Sequence, residues 1–255
     1  METINLVLVA MDSELDALLH TIKEYKVTNV NNEKGYEFTF EKEKYLIMMG
    51  KIGKVHTAFF LGQLSKCVNI KRVFNLGTSG GLNKDLSLDE VIIASKVGYY
   101  DVDVTSFGYA YGQVPGCPKY YECDEDYIVS HLKNVLLPYR RGIVVSGDKF
   151  VNKNNFVDIK GLMEPGMQCI EMESGAVGQV CYLLKVPFIV IRSISDFVFE
   201  NEYFQTHNDN VESSTTNSAL VFLSLIGMKQ NLNKIVIWSI KNLKRILDRS
   251  FFMGI

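Results

Sequence analysis

The sequence predicts a single α/β domain organised around a mostly parallel central sheet. Short apolar runs of strand character alternate with stretches whose apolar residues recur at helical spacing, beginning with residues 5–11 and 12–22. Residues 186–197, VPFIVIRSISDF, form a nearly unbroken apolar run, which is typical of a parallel strand covered on both faces. Because 47% of the 255 residues are hydrophobic, one domain can bury about 70–75% of its unfolded surface, and a second domain is unnecessary.

The composition argues against several functional classes. The 27 Lys and Arg residues against 29 Asp and Glu residues give a net charge of -2, which favours neither nucleic acid nor a membrane surface. The five cysteines form no CxxC pair and the four histidines share no metal-ligand spacing, so a disulfide framework and a metal site both fit poorly. Glu2 stands where a signal peptide needs positive charge, so we expect a cytoplasmic location.

The amino-terminal half alternates strands and helices around glycine-rich turns. Residues 12–22 are predicted to be helical, and Glu14 in the first turn is most simply a helix-capping carboxylate. Residues 36–40 and 45–49 form a predicted hairpin, after which GKIGKV begins a second helix. The strand at residues 72–76 ends in GTSGGL, which matches neither GxGxxG nor the P-loop, so a tight turn and a binding loop both remain open.

The second half continues the alternation. Further strands are predicted at residues 90–95, 97–104 and 142–146, and further helices at residues 126–137 and 217–228. A long loop between them, VTSFGYAYGQVPGCP, carries Phe107 and two tyrosines, which could cap a site, fill a subunit interface or be buried locally. Residues 197–211 are predicted to form another polar and aromatic loop.

The stretch from residue 169 to residue 199 places three acids in apolar surroundings. Glu171 and Glu173 are two positions apart, so on an extended backbone they share one face, suited to vicinal hydroxyls, while Met172 faces the other way. A crossover helix follows. Asp196 then lies just beyond the carboxyl end of a buried strand, where ligands of open α/β sheets bind.

Separate carboxylates suit the cleavage of a glycosyl bond, in which one acid protonates the leaving group and another activates water. Glu14, Glu173 and Asp196 form such a set, and Asp196 after an apolar strand is placed to stay protonated. A structural role competes with this chemistry, because the SISD sequence also suits an N-cap aspartate. The residues alone leave both interpretations open.

Seven motifs occur along the chain in this order: AMDSEL, GKIGKV, NLGTSGGL, DVDVTSFGYAYGQVPGCP, IVVSGDKFVN, CIEMES and IRSISD. Over about residues 5–228 they closely resemble the 5'-methylthioadenosine/S-adenosylhomocysteine nucleosidases. That family has the purine nucleoside phosphorylase-like fold, which implies an α/β single-domain three-layer sandwich with a central mixed, mostly parallel sheet flanked by helices. The resemblance also implies hydrolysis of the N-glycosidic bond of both nucleosides, releasing adenine and the 5-thioribose product without a metal or organic cofactor.

The resemblance implies a role for each matched position. Glu14 would activate the attacking water. Asp196 would be the general acid that protonates purine N7, and Ser195 would orient it. Glu173 would hold the ribose hydroxyls while Met172 packs on the sugar. These five residues would therefore carry the reaction and the sugar contacts.

Other matched positions would line or support the same pocket. Glu171 and Arg192 would hold the water side together, Phe150 would stack on adenine, and the backbone of Val151 would contact its edge. Three residues would complete the lining: Met11, Ile52 and Thr78. Thr78 stands where the family usually has Ser, which keeps the hydroxyl and adds a methyl group, so we expect only a modest effect.

In related proteins Val104, Phe107 and the loop around Pro115 reach into the neighbouring subunit's site. This implies a homodimer with shared active sites, and a nucleoside as the small-molecule partner. The sequence does not decide which residue of the 197–211 loop closes over the substrate.

Residues 229–255 extend past the usual end of the family, so we divide the chain into a nucleosidase domain, residues 1–228, and a carboxyl-terminal extension. The extension is predicted to form a basic amphipathic helix. Such a helix can lie on a membrane surface, but packing on the body or on a second subunit is favoured, because the chain has no other membrane signal.

Two other functions remain as alternatives. One is an adenosine-type nucleoside phosphorylase of the same fold, which would need phosphate as its second substrate. The other is a non-catalytic surface or adhesion protein that uses this fold, to which the basic extension gives slight support.

Overall fold

The computed structural model describes residues 3–161, 163–200 and 203–228. Within these residues one mixed sheet of ten strands is flanked by helices. The strands are β1 (Thr3–Val9), β2 (Lys26–Val30), β3 (Glu33–Phe40), β4 (Glu43–Met49), β5 (Asn69–Gly81), β6 (Val91–Tyr99), β7 (Tyr120–Glu122), β8 (Tyr139–Ser146), β9 (Met167–Glu171) and β10 (Phe188–Phe197). The helices are α1 (Asp12–Ile22), α2 (Lys54–Cys67), α3 (Glu125–His131), α4 (Lys153–Lys160), α5 (Ser174–Leu184) and α6 (Tyr203–Leu225).

The sheet has the strand order β10-β6-β8-β9-β5-β1-β4-β3-β2, and β7 pairs with β6. Strand β10 also pairs with β5, which closes β10, β6, β8, β9 and β5 into a ring. Strand β1 lies parallel to β4 and β5, and β5 lies parallel to β10. The carboxyl ends of these parallel strands therefore point the same way, which brings their terminal residues together.

Two helical layers cover the sheet. Helices α1 and α6 pack together on one side, and α2 and α5 pack together on the other. Glycines allow α5 to approach β6 closely, because a Cβ at Gly175 would lie 2.8 Å from the carbonyl oxygen of Gly98, and one at Gly178 would lie 2.5 Å from Val97 Cγ2. The predicted architecture, a central mixed sheet flanked by helices, is confirmed.

Several predicted elements differ from the observed ones. The GTSGG segment is neither a turn nor a loop, since β5 continues through it to Gly81. The two strands predicted at residues 90–95 and 97–104 are a single strand, β6 (Val91–Tyr99), with a register irregularity between Ala94 and Lys96, and residues 100–104 lie beyond its end. Asp196 lies within β10 and not beyond it. The predicted 197–211 loop is wrong from Tyr203 onward, where α6 begins.

Some predictions lie outside the described residues. The extension at residues 229–255 is one of them, as are the side chains of residues 201–209, so the residue that closes the site stays undecided. Across the three described ranges, no helix is both long and apolar enough to span a membrane.

Candidate active site

An open cavity of about 640 Å³ lies where β1, β5, β9 and β10 end. Most of the predicted site residues line it: Met11, Glu14, Ile52, Thr78, Phe150, Val151, Glu171, Met172, Glu173, Ser195 and Asp196. Five residues that the sequence did not single out also line it: Ala10, Ser79, Gly80, Lys149 and Ile170. All five lie within two positions of a predicted site residue, so the motifs already contain the signal that could have identified them.

Glu14 caps a helix and also faces the cavity. Its Oε2 accepts the backbone N–H groups of Ala10, at 2.8 Å, and Met11, at 3.2 Å, and its Oε1 accepts that of Thr78, at 3.1 Å. Burial raises the pKa of this carboxyl, while the charge of Arg192 and the three backbone donors oppose the rise. The two interpretations of Glu14 from the sequence, a helix-capping carboxylate and a residue of the reactive site, are therefore compatible.

Gly77 explains why β5 contains glycine at this point. A Cβ there would lie 2.5 Å from Glu14 Oε1 and 2.8 Å from Arg192 Nη1. Neither contact is tolerable, so a side chain at this position would push both charged groups away. The glycine thus serves the close approach of Glu14 and Arg192 to the strand, and not a turn.

Arg192 and Glu171 form a buried ion pair beneath the cavity, which we call the floor. Arg192 Nη2 donates to Glu171 Oε2 at 2.6 Å and to the side chain of Asn75 at 2.6 Å. Glu171 also accepts from the hydroxyl of Ser146 and twice from the backbone N–H of Ser174. Burial alone would raise the pKa of Glu171, but Arg192 and these hydrogen bonds lower it below the usual value.

Glu173 lies only two positions from Glu171, but its carboxyl group has different partners. Its Oε1 accepts the backbone N–H of Gly53 at 2.9 Å, and its Oε2 lies 3.9 Å from Arg192 Nη2. Burial and then the negative charge of Glu171 raise its pKa to about 8. The carboxyl of Glu173 is therefore largely protonated near neutral pH.

The predicted alternation of Glu171, Met172 and Glu173 between two faces is wrong. Strand β9 ends at Glu171, and Glu173 precedes α5 with φ -128° and ψ -41°, so the backbone is no longer extended there. All three residues consequently line the same cavity.

Asp196 lines the cavity from β10 and is 2% exposed. Its Oδ1 accepts a hydrogen bond from the hydroxyl of Ser195 at 2.7 Å. A register irregularity between Ile194 and Asp196 places Asp196 beside Gly80 of β5. A Cβ at Gly80 would lie 3.4 Å from Asp196 Oδ2, so this glycine leaves the carboxyl room at the cavity wall.

The cavity wall formed by Phe150 and Val151 is apolar and partly open. Phe150 is 47% exposed and Val151 is buried, and both follow the end of β8. The hydroxyl of Tyr100 donates to the carbonyl oxygen of Lys149 at 2.6 Å, which ties this wall to the end of β6. A flat aromatic ligand could lie against Phe150 with its edge toward the backbone of Val151.

Three of the predicted residues do not line the cavity of their own chain. Arg192 lies beneath it, as part of the floor. Val104 and Phe107 lie at a short 3₁₀ helix, Thr105–Phe107, and the Phe107 side chain is 78% exposed. Neither Val104 nor Phe107 therefore contributes to the lining of this cavity.

Comparison with known proteins identifies the family. The model of the Phosphorylase superfamily matches residues 6–227. A 5'-methylthioadenosine/S-adenosylhomocysteine nucleosidase from Exiguobacterium sp. is 36% identical over 222 residues, which cover 85% of this chain and 94% of the relative.

Solved structures agree with the sequence relatives. The Streptococcus pneumoniae MTA/SAH nucleosidase in complex with 8-aminoadenine matches with a TM-score of 0.81 and 28% identity, covering 89% of this chain and 100% of that chain. The Neisseria meningitidis enzyme in complex with methylthio-immucillin-A matches with a TM-score of 0.77 and 28% identity, covering 89% and 99%. The chain therefore belongs to the phosphorylase superfamily and, within it, to the 5'-methylthioadenosine/S-adenosylhomocysteine nucleosidases.

Proposed function

We propose that this protein hydrolyses the N-glycosidic bond of 5'-methylthioadenosine and S-adenosylhomocysteine, releasing adenine and the 5-thioribose product. The observation that carries the proposal is the set of three carboxylates, Glu14, Glu173 and Asp196, around one cavity with an aromatic wall. Each carboxylate has different hydrogen-bond partners, as an acid–base reaction with separate donor and acceptor requires.

Asp196 acts as the general acid. It transfers a proton to N7 of the purine while the bond between C1' and N9 breaks, so adenine leaves as a neutral molecule. The hydrogen bond from Ser195 orients the carboxyl toward the base. A carboxyl group also suits a 6-aminopurine, because it can donate to N7 and accept from the exocyclic amine.

Glu14 acts as the general base. Departure of adenine leaves an oxocarbenium-like sugar, and a water molecule attacks its C1' while Glu14 takes the water's proton. The raised pKa of Glu14 makes it a stronger base than an ordinary carboxylate. A proton then passes through solvent from Glu14 to Asp196, which completes the cycle. The floor residues Arg192 and Glu171 keep the water side in place.

Glu173 binds the two ribose hydroxyls and Met172 packs against the sugar. With a pKa of about 8, Glu173 is largely protonated at neutral pH and can donate to one hydroxyl and accept from the other. The ionised fraction of Glu173 would in addition stabilise the cationic sugar of the transition state electrostatically. Thr78, Met11 and Ile52 complete the sugar side.

The adenine base stacks on Phe150 and meets the backbone of Val151. The half-exposed Phe150 leaves this wall open at the outer side.

A homodimer completes the site, with Val104 and Phe107 of each chain reaching the neighbouring cavity. Exposed apolar side chains support this, because Val55, Phe59 and Leu183 on the layer of α2 and α5 are 78%, 65% and 64% exposed. Sedimentation of the active enzyme tests the idea. A monomer with full activity in dilute solution would refute it.

We place the enzyme in the cytoplasm, and we assign residues 229–255 to packing on the body or on the second subunit. Deletion of these residues is expected to leave catalysis intact. Loss of the dimer after deletion would support packing, whereas loss of binding to anionic vesicles would instead support a membrane-surface role.

Adenine release from 5'-methylthioadenosine and S-adenosylhomocysteine, measured with and without phosphate, tests the proposed function. Equal release in both buffers is expected. A strict requirement for phosphate would identify a phosphorylase, although the carboxylate of Glu14 at the water position should repel that anion. No release in either buffer would favour the non-catalytic alternative.

A further inference from the structure

A charged cluster beside the cavity links its sugar side to its base side. Lys54 begins α2, Asp101 follows β6 and Asp148 follows β8. Lys54 Nζ lies 2.8 Å from each carboxylate oxygen of Asp101 and 3.1 Å from Asp148 Oδ2. None of these three residues lines the cavity, and the proposed mechanism gives none of them a role.

On the sugar side, the cluster fixes the start of α2. Gly53, immediately before Lys54, donates its N–H to Glu173. The turn that contains it is conformationally unusual, because Lys51 and Gly53 have φ values of 62° and 99°. The ring nitrogen Nδ1 of His56 lies 2.9 Å from the carbonyl oxygen of Ile52, which lines the cavity. The position of α2 therefore decides where Ile52 and the Gly53 donor meet the sugar.

On the base side, the cluster fixes the segment that carries Phe150. The backbone N–H of Asp148 donates to Asp101 Oδ2 at 2.8 Å, and the next three residues, 149–151, line the cavity. The side chains of Lys54 and Asp101 are 19% and 21% exposed. Partial burial makes this ion pair stronger than one on an open surface.

We propose that Lys54 is a positioning residue that sets the distance between two walls of the site. These are the sugar wall, formed by Ile52 and the Gly53 donor, and the base wall, formed by the segment that carries Phe150. The inference rests on the proposed function, in which the nucleoside spans Glu173 and Phe150. Without the Lys54 ammonium group, Asp101 and Asp148 repel each other, and the Phe150 segment moves relative to α2. Substrate binding then suffers more than the chemical step.

The variants Lys54→Met and Lys54→Arg test this role, with Lys71→Met as a matched control. Lys71 also forms an ion pair, with Glu43 at 2.7 Å, but it lies near the start of β5, away from the cavity. We expect Lys54→Met to raise KM for 5'-methylthioadenosine about tenfold and to lower kcat less than about threefold. Lys54→Arg should restore KM to within about threefold of wild type, and Lys71→Met should leave both constants unchanged.

A double variant tests the proposed repulsion directly. Adding Asp148→Asn to Lys54→Met removes one of the two facing negative charges, so KM should fall back at least about threefold. Melting temperatures of all variants accompany the kinetics. A KM within twofold of wild type for Lys54→Met overturns the inference, as does a loss of stability and activity that Lys54→Arg does not repair.

Calorimetric titration with adenine separates this inference from the proposed function. We expect weaker adenine binding to Lys54→Met than to wild type. If wild-type protein releases no adenine from nucleosides, the proposed function fails, yet the titration still tests the placement of the base wall. Equal adenine affinity in wild type and Lys54→Met overturns the positioning role.

Discussion

Glu171 and Glu173 lie two residues apart, but their surroundings shift their pKa values in opposite directions. Glu171 belongs to the floor beneath the cavity, and Glu173 belongs to the cavity wall on the sugar side. In the floor, Glu171 is surrounded by donors from Arg192, Ser146 and Ser174, and its pKa is lowered. At the wall, Glu173 accepts one hydrogen bond from Gly53 and has the negative charge of Glu171 nearby, so its pKa is raised. Although the two glutamates are similarly buried, Glu171 therefore has a structural character and Glu173 a functional one.

This difference shows how a buried site can hold several acids in different protonation states. The floor residues balance their charges among themselves, which fixes Arg192 close to the reaction centre. Glu173 accepts fewer hydrogen bonds than Glu171, and its protonation can respond to a ligand. The following four predictions test this division, and they are ordered from the largest expected effect to the smallest.

Asp196→Asn should abolish most of the activity, because Asn cannot protonate the leaving base. We expect kcat to fall by about 10²–10⁴-fold, which corresponds to roughly 3–5 kcal/mol of transition-state stabilisation. Steady-state adenine release is the measurement, and Asp85→Asn at an exposed ion pair is the control. Near-full turnover by the Asn variant would remove Asp196 from the role of acid.

Glu171→Gln should unfold the protein at a lower temperature. Removal of one partner from a buried ion pair leaves Arg192 uncompensated, at a cost of about 3–5 kcal/mol. For a chain of this size that equals a decrease of roughly 10 °C in Tm, which differential scanning calorimetry would detect. An unchanged Tm would show that the floor does not depend on this charge.

Unlike Glu171→Gln, which should lower the stability, Glu173→Gln should raise the stability at high pH. The carboxyl of wild-type Glu173 keeps its proton up to about pH 8 in the folded state, whereas in the unfolded chain it ionises near its ordinary value of 4.5. Wild-type stability should therefore fall as the pH rises between these values, with Glu14 adding a decline of the same sign.

In the Glu173→Gln variant, the fall in stability with rising pH lacks the contribution from ionisation of Glu173. At pH 9 its Tm should exceed that of wild type by at least about 2–4 °C, equivalent to 1 kcal/mol, and the gap should narrow toward pH 5. Thermal melts across this range measure it, with Glu171→Gln as the matched comparison. A constant gap at every pH would contradict the raised pKa of Glu173.

Thr78→Ser should change activity the least. The backbone N–H of Thr78 holds Glu14, and that contact survives the substitution, while only one methyl group is lost. We expect kcat/KM to stay within about threefold of wild type. A loss above tenfold would mean that the methyl group itself shapes the sugar site.

The sequence predicted the general architecture and most of the cavity lining. The apolar run that ends at Asp196 correctly indicated a buried strand, because a strand covered on both faces has no polar alternation. Glycines in the CIEMESGAVG stretch correctly indicated close contact between α5 and the sheet. The family resemblance, carried by seven motifs, is confirmed by the relatives and the superfamily model.

Other features could not be deduced from local pattern. The GTSGG segment was ambiguous because glycine disfavours strands, and its true reason, the approach of Glu14 and Arg192 to Gly77, depends on residues distant in sequence. The different characters of Glu171 and Glu173 depend on where β9 ends and on which donors surround each carboxylate. Helix α6 was predicted too short because its first half is polar.

A structure of the Asp196→Asn variant in complex with 5'-methylthioadenosine would test the central assignment most directly. We predict adenine against Phe150 with N7 facing residue 196, the ribose hydroxyls on Glu173, and a water molecule between Glu14 and C1'. A nucleoside bound with its base away from Phe150, or with Glu14 too far from C1' for a single water to bridge them, would contradict the account.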